Sequence, residues 1–324
     1  MRKKDSYYIK LWDSDAPDVF GLGEAGPLYG LSPDFGVVAE EKFRTICDAV
    51  NRGEWMGEDL AAFPSVNFAL ETAFSDLRNG GIRKIFENNF YTEHTPVTIN
   101  GLIWMGKKDF MRKQIIEKIG AGFTTIKLKI GAIDFEEELG LLKFIRTEFA
   151  TENLVLRVDA NGAFTPAEAT EKLKRLSEYH LHSIEQPIAV NQEEALAALC
   201  EDTPVPIALD EELIGNGHRK EALLEAVKPQ YIILKPGLMG GFSGSREWIH
   251  AAERRGAGWW ITSALESNVG LNAICQFTAE FDNLLPQGLG TGKLYTNNFP
   301  SPLEIQQGKI FYNPAGYWDL SYFS

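Results

Sequence analysis

The chain has 324 residues, 44% hydrophobic and 24% charged, a globular balance that excludes a disordered protein. With 32 Lys and Arg against 45 Asp and Glu its net charge is −13, which argues against nucleic acid or an anionic membrane as partner, since both call for a positive stripe. No apolar run approaches the ~18–20 residues of a bilayer span, and the basic start MRKKDSYYIK lacks the apolar core of a secretory signal. Cys47, Cys200 and Cys275 stand far apart without metal spacing, so reduced thiols in a soluble, cytoplasmic protein are expected.

In chain order, Tyr7–Leu11 alternates like a strand. Gly21-Leu22-Gly23-Glu24-Ala25-Gly26 has the literal spacing of a dinucleotide-binding loop, but Pro27 and the acidic Glu24 favour a plain turn. A helix capped by Ser65 carries Val66, Ala69, Leu70, Ala73, Phe74 and Leu77 on one face and stops at Gly80-Gly81. From about residue 97 one theme repeats: a short β-rich run, a turn, an amphipathic helix. The runs are Val97–Trp104, Thr124–Lys129, Leu154–Asp159, Ser183–Glu185, Ile207–Asp210, Tyr231–Lys235, Trp259–Thr262 and Leu284–Gln287. Their starts fall roughly 22–30 residues apart, about what a strand and crossover helix require. Asp134 is placed to cap one helix, and Thr165-Pro166-Ala167-Glu168 reads as a capping box for the next. His180 and His182 have no ligand-spaced partners and read as a solvated helix end.

Strand after strand ends on a charge: Lys129, Asp159, Glu185, Asp210, Lys235. In an open sheet these could not share a site; in a closed α/β barrel they converge on one mouth. We therefore expect a TIM-like barrel over residues 96–295, and an α+β capping domain from residues 1–95 completed by 296–324. Lys127 and Lys129 share one face of their strand and point inward, while Ile126, Leu128 and Ile130 pack outward. Asp159, Glu185 and Asp210 on consecutive strands would repel one another unless a hard cation lay between them. An all-oxygen set without His or Cys suits Mg²⁺ (or Mn²⁺) rather than zinc. Lys235 faces the Lys127/Lys129 pair across the barrel. Gly240-Gly241, opening the following helix, offers free N–H groups to an anion. Ser263, Glu266 and Ser267 lie just past the seventh strand, at the end where a substrate would sit. A carboxylate substrate on such a metal has an acidified α-proton, and a lysine beside another cation can serve as its base.

The ordered segments TIKLKIG, LRVDANGAF, SIEQP, IALDEEL, IILKPGLMGG, ITSALESNVGL and GLGTG, with GEAGPLYGLS near the start, resemble the enolase superfamily, muconate-lactonising subgroup. Within it they are most similar to the o-succinylbenzoate synthases. The resemblance implies a modified (β/α)7β barrel with Asp159, Glu185 and Asp210 as metal ligands. It implies Lys129 as the base that removes the α-proton and then donates it to a departing hydroxyl, through an enediolate intermediate. Lys127 would assist at the substrate carboxylate, and Lys235 would face the planar intermediate as a cation. Asn161 and Glu211 would support this inner set, and Gly241, Ser263, Glu266 and Gly288 would stand near the substrate, a small carboxylate. The implied reaction is a syn dehydration in menaquinone biosynthesis. Racemisation or epimerisation of N-acylated amino acids or dipeptides is the nearest alternative, and an inactive relative acting as a binding protein is a further one. The family begins with an extra strand and a closing loop; since this chain reaches Gly23 so early, the lid is expected to be shortened or supplied elsewhere.

Overall fold

The computed structural model describes residues 3–55, 57 and 59–323, so Met1 and Arg2 of the basic start lie outside the described residues. An antiparallel hairpin, β1 (Tyr7–Asp13) and β2 (Ala16–Ala25), opens the chain, turning through Ser14 and Asp15. Helices α1 (Val37–Asn51), α2 (Pro64–Arg78) and the short α3 (Asn89–Thr92) follow. The apolar face expected for α2 is buried: Val66, Ala69, Leu70 and Ala73 pack with Ile9, Leu11 and Ile46 in a core of their own. The helix starts two residues earlier than a Ser65 cap suggests, because Pro64, with its preset φ, takes the first position after Phe63. Its free N–H groups are met from a distance: Asp34 accepts from Ser65 N at 2.9 Å and Val66 N at 3.2 Å.

Gly21 and Gly23 do not form the turn expected of them. They lie within β2, where a Cβ would overlap the Ala73 and Ala69 carbonyl oxygens of α2. Their glycine character allows a strand and a helix to touch backbone to backbone, and no nucleotide loop exists there.

The run Val97–Trp104 divides. Its first part, β3 (Val97–Thr98), leaves the barrel and pairs with a tail hairpin, β11 (Leu303–Gln306) and β12 (Lys309–Tyr312). Its second part, β4 (Gly101–Ile103), begins a seven-stranded parallel sheet with β5 (Thr125–Lys129), β6 (Val155–Asp159), β7 (Ser183–Glu185), β8 (Ile207–Leu209), β9 (Tyr231–Leu234) and β10 (Gly258–Ile261). These strands lie in sequence order around the sheet. The connecting helices are α4 (Lys108–Gly120), α5 (Phe135–Glu148), α6 (Pro166–Ser177), α7 (Glu193–Glu201), α8 (Lys220–Val227), α9 (Gly241–Glu253) and α10 (Asn268–Thr278).

No regular strand forms at Leu284–Gln287. Gln287 makes a parallel bridge to Ile99 and Gly288 one to Thr262, so two residues close the cylinder between its first and seventh strands. The result is the (β/α)7β form of the TIM barrel. Ile126, Leu128, Leu156, Val158 and Ile184 are fully buried beneath the helices, which leaves the alternate residues to fill the interior. Asp134 caps α5 as expected, accepting from Glu136 N at 2.9 Å. At α6 the capping box is replaced by a side-chain pair, Thr165 Oγ1 donating to Glu168 at 3.0 Å.

Beyond the barrel the tail folds back along the first hairpin. Phe299 and Phe323 pack on Tyr8, and Lys10 Nζ donates to the Phe323 carbonyl at 2.6 Å. His182 is not a solvated helix end. It is half-buried at the start of β7, its ring 4.9 Å from that of Tyr231, and burial with nearby Arg157 pulls its pKa down to about 4.

Candidate active site

Register assembles the rim. Lys129 pairs with Asp159 across β5 and β6, and Asp159 with Glu185 across β6 and β7; Asp210 and Lys235 directly follow β8 and β9. Lys129 and Lys235 stand four positions apart in the strand order, on opposite sides of the closed cylinder. Both amines turn inward. Lys129 Nζ donates to Asp159 Oδ2 at 2.8 Å and to Asn161 Oδ1 at 2.6 Å. Lys235 Nζ reaches both oxygens of Asp210, at 2.6 and 2.5 Å. Lys127, a layer lower, rises between Asp159 (3.0 Å) and Glu185. Behind them Asn161 Nδ2 donates to Glu211 Oε1 at 2.8 Å, joining the two sides.

Asp159, Lys127 and Lys235 are buried, and each meets an opposite charge. Burial alone would raise Asp159, but Lys127 and Lys129 outweigh it and hold the carboxyl well below its usual range. Burial would lower Lys127 and Lys235, and again the acids win: Asp159 and Glu185 raise the first, Asp210 and Glu211 the second. Glu185 goes the other way. It is fully buried, with Lys127 only partly offsetting that burial and the repulsion from Asp159 and Asp210, so its pKa is raised.

That imbalance bears on the metal. Among the described residues, as the side chains stand, no three metal-ligating groups converge on one point, because the lysines occupy the space between the acids. Glu185 Oε1 is nevertheless buried with no hydrogen-bond partner, and so is Glu211 Oε2. An orphaned carboxylate oxygen among carboxylate neighbours is a vacant ligand, and an all-oxygen donor set suits a hard divalent cation. The residues therefore fit one.

The cup encloses a cavity of about 170 Å³ that Lys127, Lys129, Asp159, Asp210 and Lys235 all line. Asn161, Glu211, Ser263 and Gly288 line it too; Ser263 Oγ lies 2.5 Å from Thr291 Oγ1. Three other candidates stand elsewhere, among them Ser267, whose N–H and hydroxyl donate to Glu24 outside the cavity. Gly241 N-terminal geometry does face an anion, but the anion is the protein's own: Glu71 of α2 accepts from Phe242 N and, at 3.2 Å, from Ser243 N. Glu266 is buried behind the rim, outside the cavity, against Gly237 and Gly270; burial, with Lys4 partly opposing, raises its pKa to about 7. A larger cleft of about 700 Å³ between α2 and α9 contains none of the strand-end charges.

Leu28, Leu31, Trp104 and Leu265 form apolar walls that the sequence reading passed over. Leu28 and Leu31 follow β2 directly and reach the cup from the N-terminal region; the β1–β2 turn is tight, in keeping with the expectation that a lid is shortened or supplied elsewhere. Leu265 sits inside the segment SALES, which was a signal available in the chain; nothing local marked Trp104.

A capped (β/α)7β barrel with facing lysines around three strand-end carboxylates is the architecture of the enolase superfamily. Residues 111–315 match the family model described as enolase C-terminal domain-like, and the chain belongs to that family. It is 54% identical over 257 residues (79% of this chain, 70% of the relative) to the o-succinylbenzoate synthase of Desulfotalea psychrophila. It is 32% identical over 271 residues (77% and 68%) to the N-succinylamino acid racemase of Thermus thermophilus. The crystal structure of MenC from Desulfotalea psychrophila superposes with a TM-score of 0.85 at 43% identity, covering 95% of this chain and 94% of that one.

Proposed function

We propose that this protein is an o-succinylbenzoate synthase, a lyase of menaquinone biosynthesis. It converts 2-succinyl-6-hydroxy-2,4-cyclohexadiene-1-carboxylate to 2-succinylbenzoate and water. The observation that carries the reading is the placement of Lys129 and Lys235 on opposite walls, both amines entering the same acid-lined cup. A flat ring lying between them exposes one face to each.

Lys129 first exchanges Asp159 and Asn161 for the substrate and gives up its own ammonium proton to solvent. Its free amine then takes the proton from the carbon bearing the carboxylate, and the C–H electron pair moves into the ring. The hydroxyl on the adjacent carbon leaves from the same face, and the Lys129 ammonium returns the proton to it as water. The C–O bond breaks, the ring becomes aromatic, and the proton count closes. Lys235 keeps its charge against the other face and stabilises the electron-rich ring. Lys127 holds Asp159 and Glu185 in place; Asn161 and Glu211 steady the outer side. Asp159, Glu185 and Asp210 would hold Mg²⁺ or Mn²⁺, which supplies positive charge beside the substrate carboxylate as its proton leaves.

A racemase acting on N-succinyl amino acids uses the same two lysines, but the lower identity to the racemase relative favours dehydration. Cytoplasmic residence goes with this reading: Cys200 and Cys275 are buried as free thiols, and no described helix is long and apolar enough to cross a membrane. The test is turnover of the cyclohexadiene acid with Mg²⁺, repeated in EDTA. Formation of 2-succinylbenzoate that EDTA stops is the expected result. Racemisation of N-succinyl amino acids without dehydration would replace this reading with the racemase, and inertness towards both substrates would leave a binding protein.

A further inference from the structure

Leu265 brings together three observations. Its backbone lies in the left-handed region at φ 63, where side chains other than glycine are strained. Of the non-glycine residues with positive φ among the described residues, it alone has an aliphatic side chain. That side chain forms part of the cup wall with Leu28, Leu31 and Trp104. Both polar backbone groups of Leu265 are held: its N–H donates to Ser263 Oγ at 3.3 Å, and its carbonyl accepts from the Tyr295 hydroxyl, outside the cup, at 2.8 Å.

Strain of this kind persists only where the surroundings over-determine it, and it gathers at ligand sites. Tyr295 supplies the determination. It does not line the cup; it belongs to a neighbouring cavity of about 450 Å³ with Lys4, Tyr8 and Ser267. Burial, with Glu24 and Glu266 close by, pushes its phenol up to about 12, so it remains a donor across the working range of pH.

We propose that Leu265 is a specificity-determining residue of the cup and that Tyr295 is the positioning residue that holds it there. The inference rests on the synthase reading and deepens it. An aliphatic wall suits the ring and methylene carbons of the cyclohexadiene acid. It offers no acceptor to the amide N–H of an N-succinyl amino acid, which would be left unpaired against it.

The experiment compares Tyr295→Phe, Leu265→Gly and the double variant with the wild type by kcat and KM on the cyclohexadiene acid with Mg²⁺, by rate on an N-succinyl amino acid, and by Tm. Losing one hydrogen bond, Tyr295→Phe raises KM about fivefold with kcat within about twofold. Leu265→Gly raises KM about tenfold or more and narrows the preference for the ring acid, yet does not lower Tm, since glycine carries no penalty at this φ. The double variant matches Leu265→Gly alone, because Tyr295 acts through Leu265. Multiplying KM effects, an unchanged KM in Leu265→Gly, or a fall in Tm without a KM shift in Tyr295→Phe would each overturn the inference while leaving the synthase reading intact. A wild type that leaves the ring acid unconverted removes the reading and the inference together.

Discussion

At the rim of the barrel, Lys129 and Lys235 are matched with Asp159 and Asp210, Lys127 rises from the layer beneath to Asp159 and Glu185, and the cluster opens onto a cavity. At the floor, one layer down the same strand from Asp159, Arg157 is fully buried, with no ion pair among the described residues. Its guanidinium lies 3.9 Å over the Trp260 ring, Nη1 donates to the Pro286 carbonyl at 2.7 Å, and Nε and Nη2 have no partner. Burial holds its pKa down to about 10, with Glu185 only partly opposing. His182 and Tyr231 complete this aromatic plug. The same inward-pointing positions thus serve two ends. Where opposite charges meet and an oxygen is left over, a ligand can still bind; where a cation is sealed under rings, the charge contributes to packing and closes the barrel.

Four measurements bear on this contrast, beginning with the largest effect. Lys129→Arg keeps the rim charge but misplaces the base, so kcat should fall by about 10³-fold or more with Tm nearly unchanged; near wild-type kcat with a lowered Tm would make the rim structural. Glu266, buried behind the rim with Oε2 unpartnered, provides a second case. Its folded pKa of about 7 lies above the ordinary 4.5 of the unfolded chain, so the folded state is penalised increasingly as pH rises from 4.5 to 7. Glu266→Gln should therefore stabilise by up to about 3 kcal/mol at pH 8 and by little at pH 4.5, as read from urea unfolding.

Arg157→Met tests the floor directly. Loss of the cation–π contact, about 2 kcal/mol, is offset by relief of a buried charge, so stability should change by less than about 2 kcal/mol and kcat by less than about tenfold. A collapse in kcat like that of Lys129→Arg would show that the floor takes part in the chemistry. The smallest effect belongs to His182. Its folded pKa of about 4 lies below the unfolded 6.5, so stability is lost as pH falls through that window. Between pH 7 and pH 5 the loss should be about 2 kcal/mol or less, and His182→Phe should remove it.

The rim was legible because its information is local. Alternation with period two assigns Lys127, Lys129, Arg157 and Asp159 to one face, and a charge closing an apolar run marks a strand's C-terminal end. Helix α5 was legible for the same reason, through Asp134 and its apolar spacing. The missed features depend on partners far along the chain. Gly21 and Gly23 read as a turn until α2 is laid upon them. The Gly240–Gly241 helix start looks open to an anion until Glu71 arrives from α2. Asp34 caps a helix it does not adjoin. Glu266 looks like a rim residue by its neighbours in sequence, but the chain turns it inward toward Glu24 and Lys4.

By itself, then, the sequence determined the alternation of strands and helices, the acids and amines at the strand ends, and with them the chemistry, since each depends on residues a few positions apart. Tertiary structure alone decided which of those groups share a cavity, that two residues at Gln287 and Gly288 suffice to close the cylinder, and that Leu265 is held in a strained pose by Tyr295. Those outcomes depend on contacts between distant segments, whose register and depth of burial no local pattern encodes.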